Sequence, residues 1–300
     1  MPIPTGSSIC ILGPAVTAHF LVKLLNDMKN IEKILILTDF GKLSKPLLNY
    51  GLALADFLEA RVWVQYVYQL TANVSGDIYI SPVVLEGYEK EVHKKYKQLQ
   101  EDIPALQKAT VQLAVSSGDL LVEANELIDR EKIDLVVMGN RSEGFLTNIL
   151  GSTANKVIQH AHCPVLTIPQ EIDFQPFRKL ALAVDLHKSD PEVLSFLAWL
   201  AQIFGARIDI IHISTAPVPV DVGKMMNTLE HAFENLTHQF FHIHASEIEE
   251  GIERHVEGNN IDLLMLMPRK HPFFDSLFQK SISRQAAYQK KVPLLTLREQ

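Results

Sequence analysis

The sequence predicts an α/β protein built from two tandem doubly wound parallel sheets. Short apolar strands alternate with helical patterns along all 300 residues, and the first half of the chain returns in the second half. Uninterrupted runs of Ile, Leu and Val are typical of parallel strands that helices cover on both faces. A chain of this length accommodates two domains of about 150 residues each.

The duplication is visible in three pairs of segments. The pairs are Lys33–Asp39 with Lys179–Asp185, Ile133–Met138 with Ile261–Leu266, and Cys163–Thr167 with Val292–Thr296. The second copy is shorter in its middle. Because each copy is one supersecondary unit, the repeat sets the domain boundaries. We predict an N-terminal extension (1–27), a first domain (28–170), a linker (171–178) and a second domain (179–300).

In the first copy, apolar runs predict the strands, and helical periodicity predicts that helices connect them. The predicted strands lie near residues 33–38, 61–67, 110–115, 133–138 and 164–168. The predicted helices lie near residues 44–59, 84–107, 119–131 and 152–161. Ligands of doubly wound sheets bind beyond the carboxyl ends of the strands. Asp39 follows the first strand and Gly139 follows the fourth, so both are expected at that edge.

A glycine-bearing loop joins the fourth strand to the last helix of this copy. It contains Gly139, Gly144 and Gly151, and Ser152 and Thr153 come next. Backbone N–H groups at such a strand-to-helix junction favour an anion, and the two hydroxyls favour a phosphate. An ordinary structural turn is the alternative interpretation. The loop has neither the Walker A ending nor the dinucleotide-binding glycine spacing.

Composition and charge bear on three questions: nucleic-acid binding, membrane insertion and disulfide bonding. The net charge is -7, and no basic tract or RNA-binding motif occurs, so nucleic acid is not an expected partner. No apolar run reaches the roughly 18 residues that a membrane span needs. The two cysteines, Cys10 and Cys163, form no disulfide framework, which predicts a reducing cytoplasm.

Four segments together resemble the universal stress protein family in its tandem form. They are Ile36–Phe40, Val136–Gly139, Gly151–Ile158 and His162–Leu166. The resemblance covers residues 29–298 and implies an adenine nucleotide alpha-hydrolase-like fold, with the two domains forming a pseudo-dimer within one chain. Members that bind ATP carry a Gly-x2-Gly-x9-Gly-Ser/Thr loop. The resemblance assigns the adenosine end to Asp39, the adenine to the backbone of Val67, and the phosphates to Gly139, Gly151 and Ser152. We add Ser142 and Thr153, because their hydroxyls can donate to a phosphate.

The chain departs from this family pattern in both copies. Ser142 stands where the family has its second glycine, and the following spacer is shorter by one residue. In the second copy Met267, Lys270 and Lys280 replace all three glycines. A lysine side chain fills space that a phosphate needs, and Pro268 offers no N–H. We therefore expect ATP as the cofactor of the first domain only.

The resemblance implies a role in stress response or regulation through adenine nucleotide binding. The alternatives are an interaction scaffold that binds no nucleotide and, less favoured, a slow ATPase; no catalytic residue is predicted. The resemblance also implies that the final strands, Val165–Ile168 and Leu294–Leu297, pair antiparallel. Their apolar edges need such cover. Further homodimerisation stays open.

One histidine cluster raises the question of a metal site. His238, His242 and His244 lie close together in the sequence. If residues 240–245 form a strand, His242 and His244 share a face. Zinc would need a third ligand, and no Cys or carboxylate lies at ligand spacing. Partly exposed histidines near a strand are the alternative, and we assign no metal site.

Overall fold

The structure is a computed structural model that describes residues 31–68, 82–139, 152–170, 172–184, 191–215, 223–266 and 292–297. The predicted extension (1–27) lies outside these residues. We call the part from β1 to β5 the first repeat and the part from β6 to β10 the second repeat.

The first repeat alternates strands and helices as the sequence predicts. Its strands are β1 (Lys33–Leu37), β2 (Arg61–Tyr68), β3 (Val111–Ser117), β4 (Leu135–Gly139) and β5 (Val165–Ile168). Its helices are α1 (Ser44–Phe57), α2 (Pro82–Asp102), α3 (Leu120–Glu131) and α4 (Ser152–His160). The predicted single helix over 84–107 is wrong at its C-terminal end, where a 3-10 helix spans Pro104–Gln107. Proline disfavours the α conformation in the residue before it, and Ile103 lies outside the α region, with φ of -129° and ψ of 85°.

The second repeat follows the same order. Its strands are β6 (Lys179–Ala183), β7 (Arg207–Ser214), β8 (His238–His244), β9 (Leu263–Leu266) and β10 (Leu294–Thr296). Its helices are α5 (Pro191–Phe204), α6 (Gly223–Ala232) and α7 (Ile248–Gly258). The strand predicted over 240–245 begins two residues earlier, at His238.

The described strands form one ten-stranded sheet in the order β3-β2-β1-β4-β5-β10-β9-β6-β7-β8. All neighbours are parallel except β5 and β10, which pair antiparallel in the centre. Counted from either edge of the sheet, the strands therefore follow one order: the third, second, first, fourth and fifth strand of a repeat. This symmetry confirms the predicted fold class, two doubly wound units that form a pseudo-dimer within one chain.

The central pairing is built from two reciprocal contacts. Thr167 lies opposite Leu294, and Val165 lies opposite Thr296. The Thr167 hydroxyl donates to the Leu294 carbonyl (3.2 Å), and the Thr296 hydroxyl donates to the Val165 carbonyl (3.1 Å). Both threonines are buried, so each hydroxyl needs the partner that the other strand supplies.

Local sequence explains where helix α3 begins and ends. Asp119 caps α3 by accepting from the N–H groups of Leu121 and Val122. Lys132 ends the same helix in the left-handed conformation, with φ of 58°. Within the described ranges, no helix combines the length and the apolar character needed to cross a membrane.

Candidate functional site

The candidate site begins at the carboxyl end of β1. Asp39 is exposed there, and its Oδ1 accepts from the Gly41 N–H (2.9 Å) and lies 3.4 Å from the Ser44 hydroxyl. Ser44 also accepts from the Thr38 hydroxyl at 2.7 Å. These bonds fix the turn between β1 and α1, so the Asp39 carboxylate is held at the rim of the sheet.

Next to Asp39, the backbone of Phe40 adopts a left-handed conformation, with φ of 50°. Such a conformation is uncommon for an aromatic residue and is retained where the surroundings enforce it. The Phe40 ring stacks on Tyr66 (5.1 Å between centroids) and contacts Tyr96 of α2 at 5.9 Å. Burial raises the pKa of Tyr96, so its hydroxyl stays neutral. The stacking of Phe40 on Tyr66 packs the turn against the end of β2.

The backbone of Val67 points toward the space beyond the end of β1. β2 pairs with β1 only as far as Gln65, but with β3 as far as Tyr68. The carbonyl of Gln65 accepts from Thr38 on the β1 side, while that of Tyr68 accepts from Gly118 on the β3 side. Because successive peptide groups of a strand alternate in direction, the N–H and C=O of Val67 face the β1 side. No described strand pairs with them there.

Gly139 is the last residue of β4, which lies next to β1 on the side away from β2. A Cβ at this position would meet only Leu47 Cδ2, at 3.8 Å, among the described residues. This is an ordinary contact, and the φ of Gly139 is not positive. Neither packing in the described part nor backbone conformation therefore requires glycine here.

Helix α4 begins at Ser152, as predicted, so the backbone of Ser152 and Thr153 forms its first turn. Ser142 and Gly151 lie outside the described residues, and the side chains of Ser152 and Thr153 are not described. In the second repeat, the replacements Met267, Pro268, Lys270 and Lys280 also lie outside them. Of the predicted site, the structure places Asp39, Val67 and Gly139 at the ends of the three adjacent strands β1, β2 and β4.

Comparison with known proteins identifies the family. The model of the universal stress protein family matches residues 30–169 and again residues 176–298. The chain belongs to this family, in its tandem form. It is similar to Universal stress protein Slr1230 of Synechocystis, with 28% identity over 295 residues that cover 90% of this chain and 100% of that protein.

Two further likenesses agree with the universal stress protein assignment. Universal stress protein MJ0531 of Methanocaldococcus jannaschii is 29% identical over 163 residues, which cover 51% of this chain and 92% of that protein. The crystal structure of a universal stress protein from Archaeoglobus fulgidus superimposes with a TM-score of 0.64 at 19% identity. That match covers 89% of this chain and 96% of the other, and it supports the shared fold.

The histidines of the second repeat are arranged differently from the sequence-based grouping. His238 lies at the opposite end of β8, where its Nδ1 is 3.0 Å from the Leu236 carbonyl. His242 and His244 share one face, with ring centroids 4.7 Å apart. The third imidazole beside them is His212 of β7, whose centroid is 5.4 Å from that of His242. Sequence spacing missed His212 because only the parallel pairing of β7 with β8 brings it there.

Proposed function

We propose that the first repeat binds an adenine nucleotide, ATP, and that this binding serves stress response or regulation. The site would lie beyond the carboxyl ends of β2, β1 and β4, in front of the N-terminus of α4. The observation that carries the proposal is the direction of the Val67 peptide groups. An adenine edge presents both donor and acceptor atoms, and one strand residue that offers an N–H and a C=O side by side complements it.

Gly139 supports the phosphate end of this site. Since the described packing and the backbone conformation tolerate a side chain at this position, the glycine is best explained by the close approach of a ligand. The N-terminus of α4 would supply partial positive charge and N–H donors to that ligand. Ser142, Gly151, Ser152 and Thr153 complete the proposed phosphate contacts.

The proposal confines ATP to the first repeat. The second repeat carries lysines and a methionine where phosphate-binding glycines would stand, so one nucleotide per chain is expected. We propose binding without turnover, with a slow ATPase as the less favoured alternative. We also propose that the two domains span residues 28–170 and 179–300. The proposed location of the protein is a reducing cytoplasm. With β5 and β10 already paired in one chain, a homodimer is not required to cover these strands.

Calorimetric titration of the full chain with ATP tests the proposal. We expect one ATP per wild-type chain. Gly139→Ala adds a methyl group where the nucleotide approaches, so it should weaken binding at least about tenfold, or about 1.4 kcal/mol. Its thermal midpoint should stay close to that of the wild type, because the new Cβ meets only an ordinary contact in the described packing. Gly151→Lys, which copies the residue of the second repeat, should abolish binding.

Gly87→Ala is the matched control, since Gly87 lies on α2 with nothing within 4 Å of an added Cβ. It should bind ATP like the wild type. Equal affinities for the wild type and both site variants would disprove the site. Failure of the wild type to bind ATP would instead favour the scaffold, and phosphate release during the titration would favour the slow ATPase.

A further inference from the structure

We propose that the first repeat binds an organic cation, through its guanidinium or alkylammonium group, in a groove between the β2–β3 edge of the sheet and α3. The groove has a volume of about 350 Å³. Gln65, Ala114 and Ser116 line it from the sheet, and Glu123 and Glu126 line it from the helix. These residues are distinct from those of the proposed ATP site, so the inference does not depend on ATP binding.

The groove is open because β3 carries a small residue where the second repeat carries a ring. Gln65 pairs with Ala114, and the equivalent pair in the second repeat is Ile211 with Phe241. The Phe241 ring lies against His255 of α7, with ring centroids 4.5 Å apart. Ala114 has no ring to place against α3, so the corresponding space in the first repeat is left for a ligand.

Gln65 lies at the floor of the groove and is 2% exposed. Its Nε2 donates to the Glu123 carbonyl (3.2 Å) and to the Ser116 hydroxyl (3.4 Å), which fixes the orientation of the amide. Its Oε1 is buried and has no hydrogen-bond partner among the described residues. Because buried polar atoms are nearly always hydrogen-bonded, this oxygen favours a ligand that brings an N–H donor.

The helix side of the groove carries negative charge. Glu123 and Glu126 are three residues apart, so they share one face of α3. Among the ion pairs of the described residues, none includes either of these carboxylates. Arg130 of the same helix pairs with Glu131 instead, at 3.2 Å. The two carboxylates therefore remain available to a cation.

The acidic wall belongs to the first repeat alone. Counted from the equivalent ends of α3 and α7, Gly251 and Arg254 stand where Glu123 and Glu126 stand. A glycine and an arginine offer no attraction to a cationic ligand, and the isoleucine that replaces Gln65 needs no donor. We therefore expect one such site per chain.

The chemistry of the groove selects the class of ligand. Oε1 of Gln65 and the carboxylates of Glu123 and Glu126 only accept hydrogen bonds. A guanidinium group presents five N–H donors in one plane and pairs with carboxylates through parallel bonds, while an ammonium group presents three donors. A metal ion fits less well, because no group of three His, Cys, Asp or Glu side chains in the described ranges could hold one.

Titration of the full chain, followed by nuclear magnetic resonance, tests the inference. Butylguanidinium is the probe, and butylurea, which has a similar shape without the charge, is the control ligand. We expect one saturable site for butylguanidinium with a dissociation constant of about 1 mM or lower, and at least about tenfold weaker binding of butylurea. The shift changes should centre on the side-chain amide of Gln65 and on the backbone of β3 and α3.

Two variants remove the site in different ways. The double variant Glu123→Gln, Glu126→Gln should weaken butylguanidinium binding at least about tenfold, because the charged partners are lost. Ala114→Phe copies the second repeat and should abolish binding by filling the groove. The control, Glu249→Gln with Glu257→Gln on α7, removes the same charge outside the groove and should bind like the wild type. Thermal melts establish that each variant is folded.

A blocked peptide, acetyl-Gly-Arg-Gly-amide, distinguishes two sources of the same chemistry. Binding at least about tenfold tighter than that of butylguanidinium would assign the groove to an arginine side chain of a partner protein, and any smaller gain would assign it to a free small molecule. The proposal is overturned if wild-type chain shows no saturable binding of butylguanidinium, or if butylurea binds equally well. Unchanged affinity in the double variant would equally refute the site.

Discussion

At the scale of single residues, the lysine that begins the first strand of each repeat has a different neighbour in the two repeats. Lys33 of β1 donates to the Glu131 carbonyl and lies 5.8 Å from the ring centroid of Trp63. The equivalent Lys179 of β6 donates to the Asn259 carbonyl at 2.8 Å, but its second partner is Asp209, at 3.0 Å. An aromatic neighbour in one repeat is thus an ionic neighbour in the other.

Asp209 is the centre of a buried polar cluster. It is 1% exposed, and its Oδ2 also lies 2.9 Å from Nε2 of His255. The amide of Asn259 donates to Nδ1 of His255 at 3.2 Å, so Nδ1 accepts and the proton sits on Nε2. The geometry therefore describes a neutral His255 that donates to Asp209. Burial lowers the pKa of His255, and the charge of Lys179 acts in the same direction, against the opposing effect of Asp209.

This cluster predicts that acidification destabilises the protein. Because the pKa of His255 is lower in the folded chain than its ordinary value of 6.5, the unfolded chain binds more protons as the pH falls below that value. The contribution of His255 to the free energy of unfolding is therefore present above about pH 6.5 and is lost as the pH decreases. Urea unfolding at pH 7.5 and pH 5.5 measures the difference.

His255→Gln should reduce this pH dependence, because glutamine still donates to Asp209 but does not titrate. The exposed His231→Gln should retain the full dependence of the wild type. If His255→Gln and the wild type lose the same free energy of unfolding between the two pH values, the buried imidazole is not the source.

At the scale of elements, the close approach of a helix to a strand depends on glycine. A Cβ added to Gly251 of α7 would lie 2.8 Å and 2.9 Å from Cγ1 and Cγ2 of Ile213, and 3.3 Å from the Cβ of Ala245. Both methyl-bearing branches of Ile213 start at its own Cβ, so no rotation moves them both away. The absence of a side chain at Gly251 therefore sets how closely α7 packs on β7.

Gly251→Ala should lower the free energy of unfolding by about 1–3 kcal/mol, the usual cost of overpacking a buried contact. Gly258→Ala, in the same helix, is the control. Nothing lies within 4 Å of a Cβ at Gly258, so this substitution should be neutral or stabilise the helix by up to about 1 kcal/mol. Denaturant unfolding compares them, and an equal effect of the two alanines would contradict the packing argument.

At the scale of the whole molecule, an aromatic cluster joins the repeats beside the β5–β10 pairing. Phe57 of α1 stacks on Phe204 of α5, with centroids 4.8 Å apart and ring planes within 5°. Two linker residues fill the gap: Phe174 contacts Tyr50, Phe57 and Phe204, and Phe177 lies 4.7 Å from Phe204. The segment predicted only as a linker is therefore part of the junction.

Phe177→Ala should destabilise both repeats together. Phe177 is 4% exposed, so loss of its ring costs about 3–5 kcal/mol and should lower the thermal midpoint by several degrees. Hydrogen exchange should accelerate in both β5 and β10. Tyr88→Ala, at an aromatic residue that is 44% exposed, should change stability by only about 1 kcal/mol. Faster exchange confined to one repeat would show that the junction does not couple them.

Much of the fold and part of the site were predictable because their signals are local or periodic. Apolar runs and helical spacing located the first repeat's strands and helices to within a few residues, and Pro104 explains the largest error. The ends of β1 and β4 placed Asp39 and Gly139 on one edge, since parallel strands share their direction. The direction of the Val67 peptide groups, in contrast, depends on where the pairing with β1 stops.

The sequence by itself determined the duplication, the α/β alternation, the family and the loss of glycines from the second copy. These properties depend on residue order and spacing, which the chain carries whether or not it is folded. Only the tertiary structure decided that His212 joins His242 and His244, that Asp209 meets His255 and Lys179, and that the linker phenylalanines enter the junction. Each of these contacts joins segments distant in the chain, so it depends on strand register and helix packing, which residue spacing does not encode.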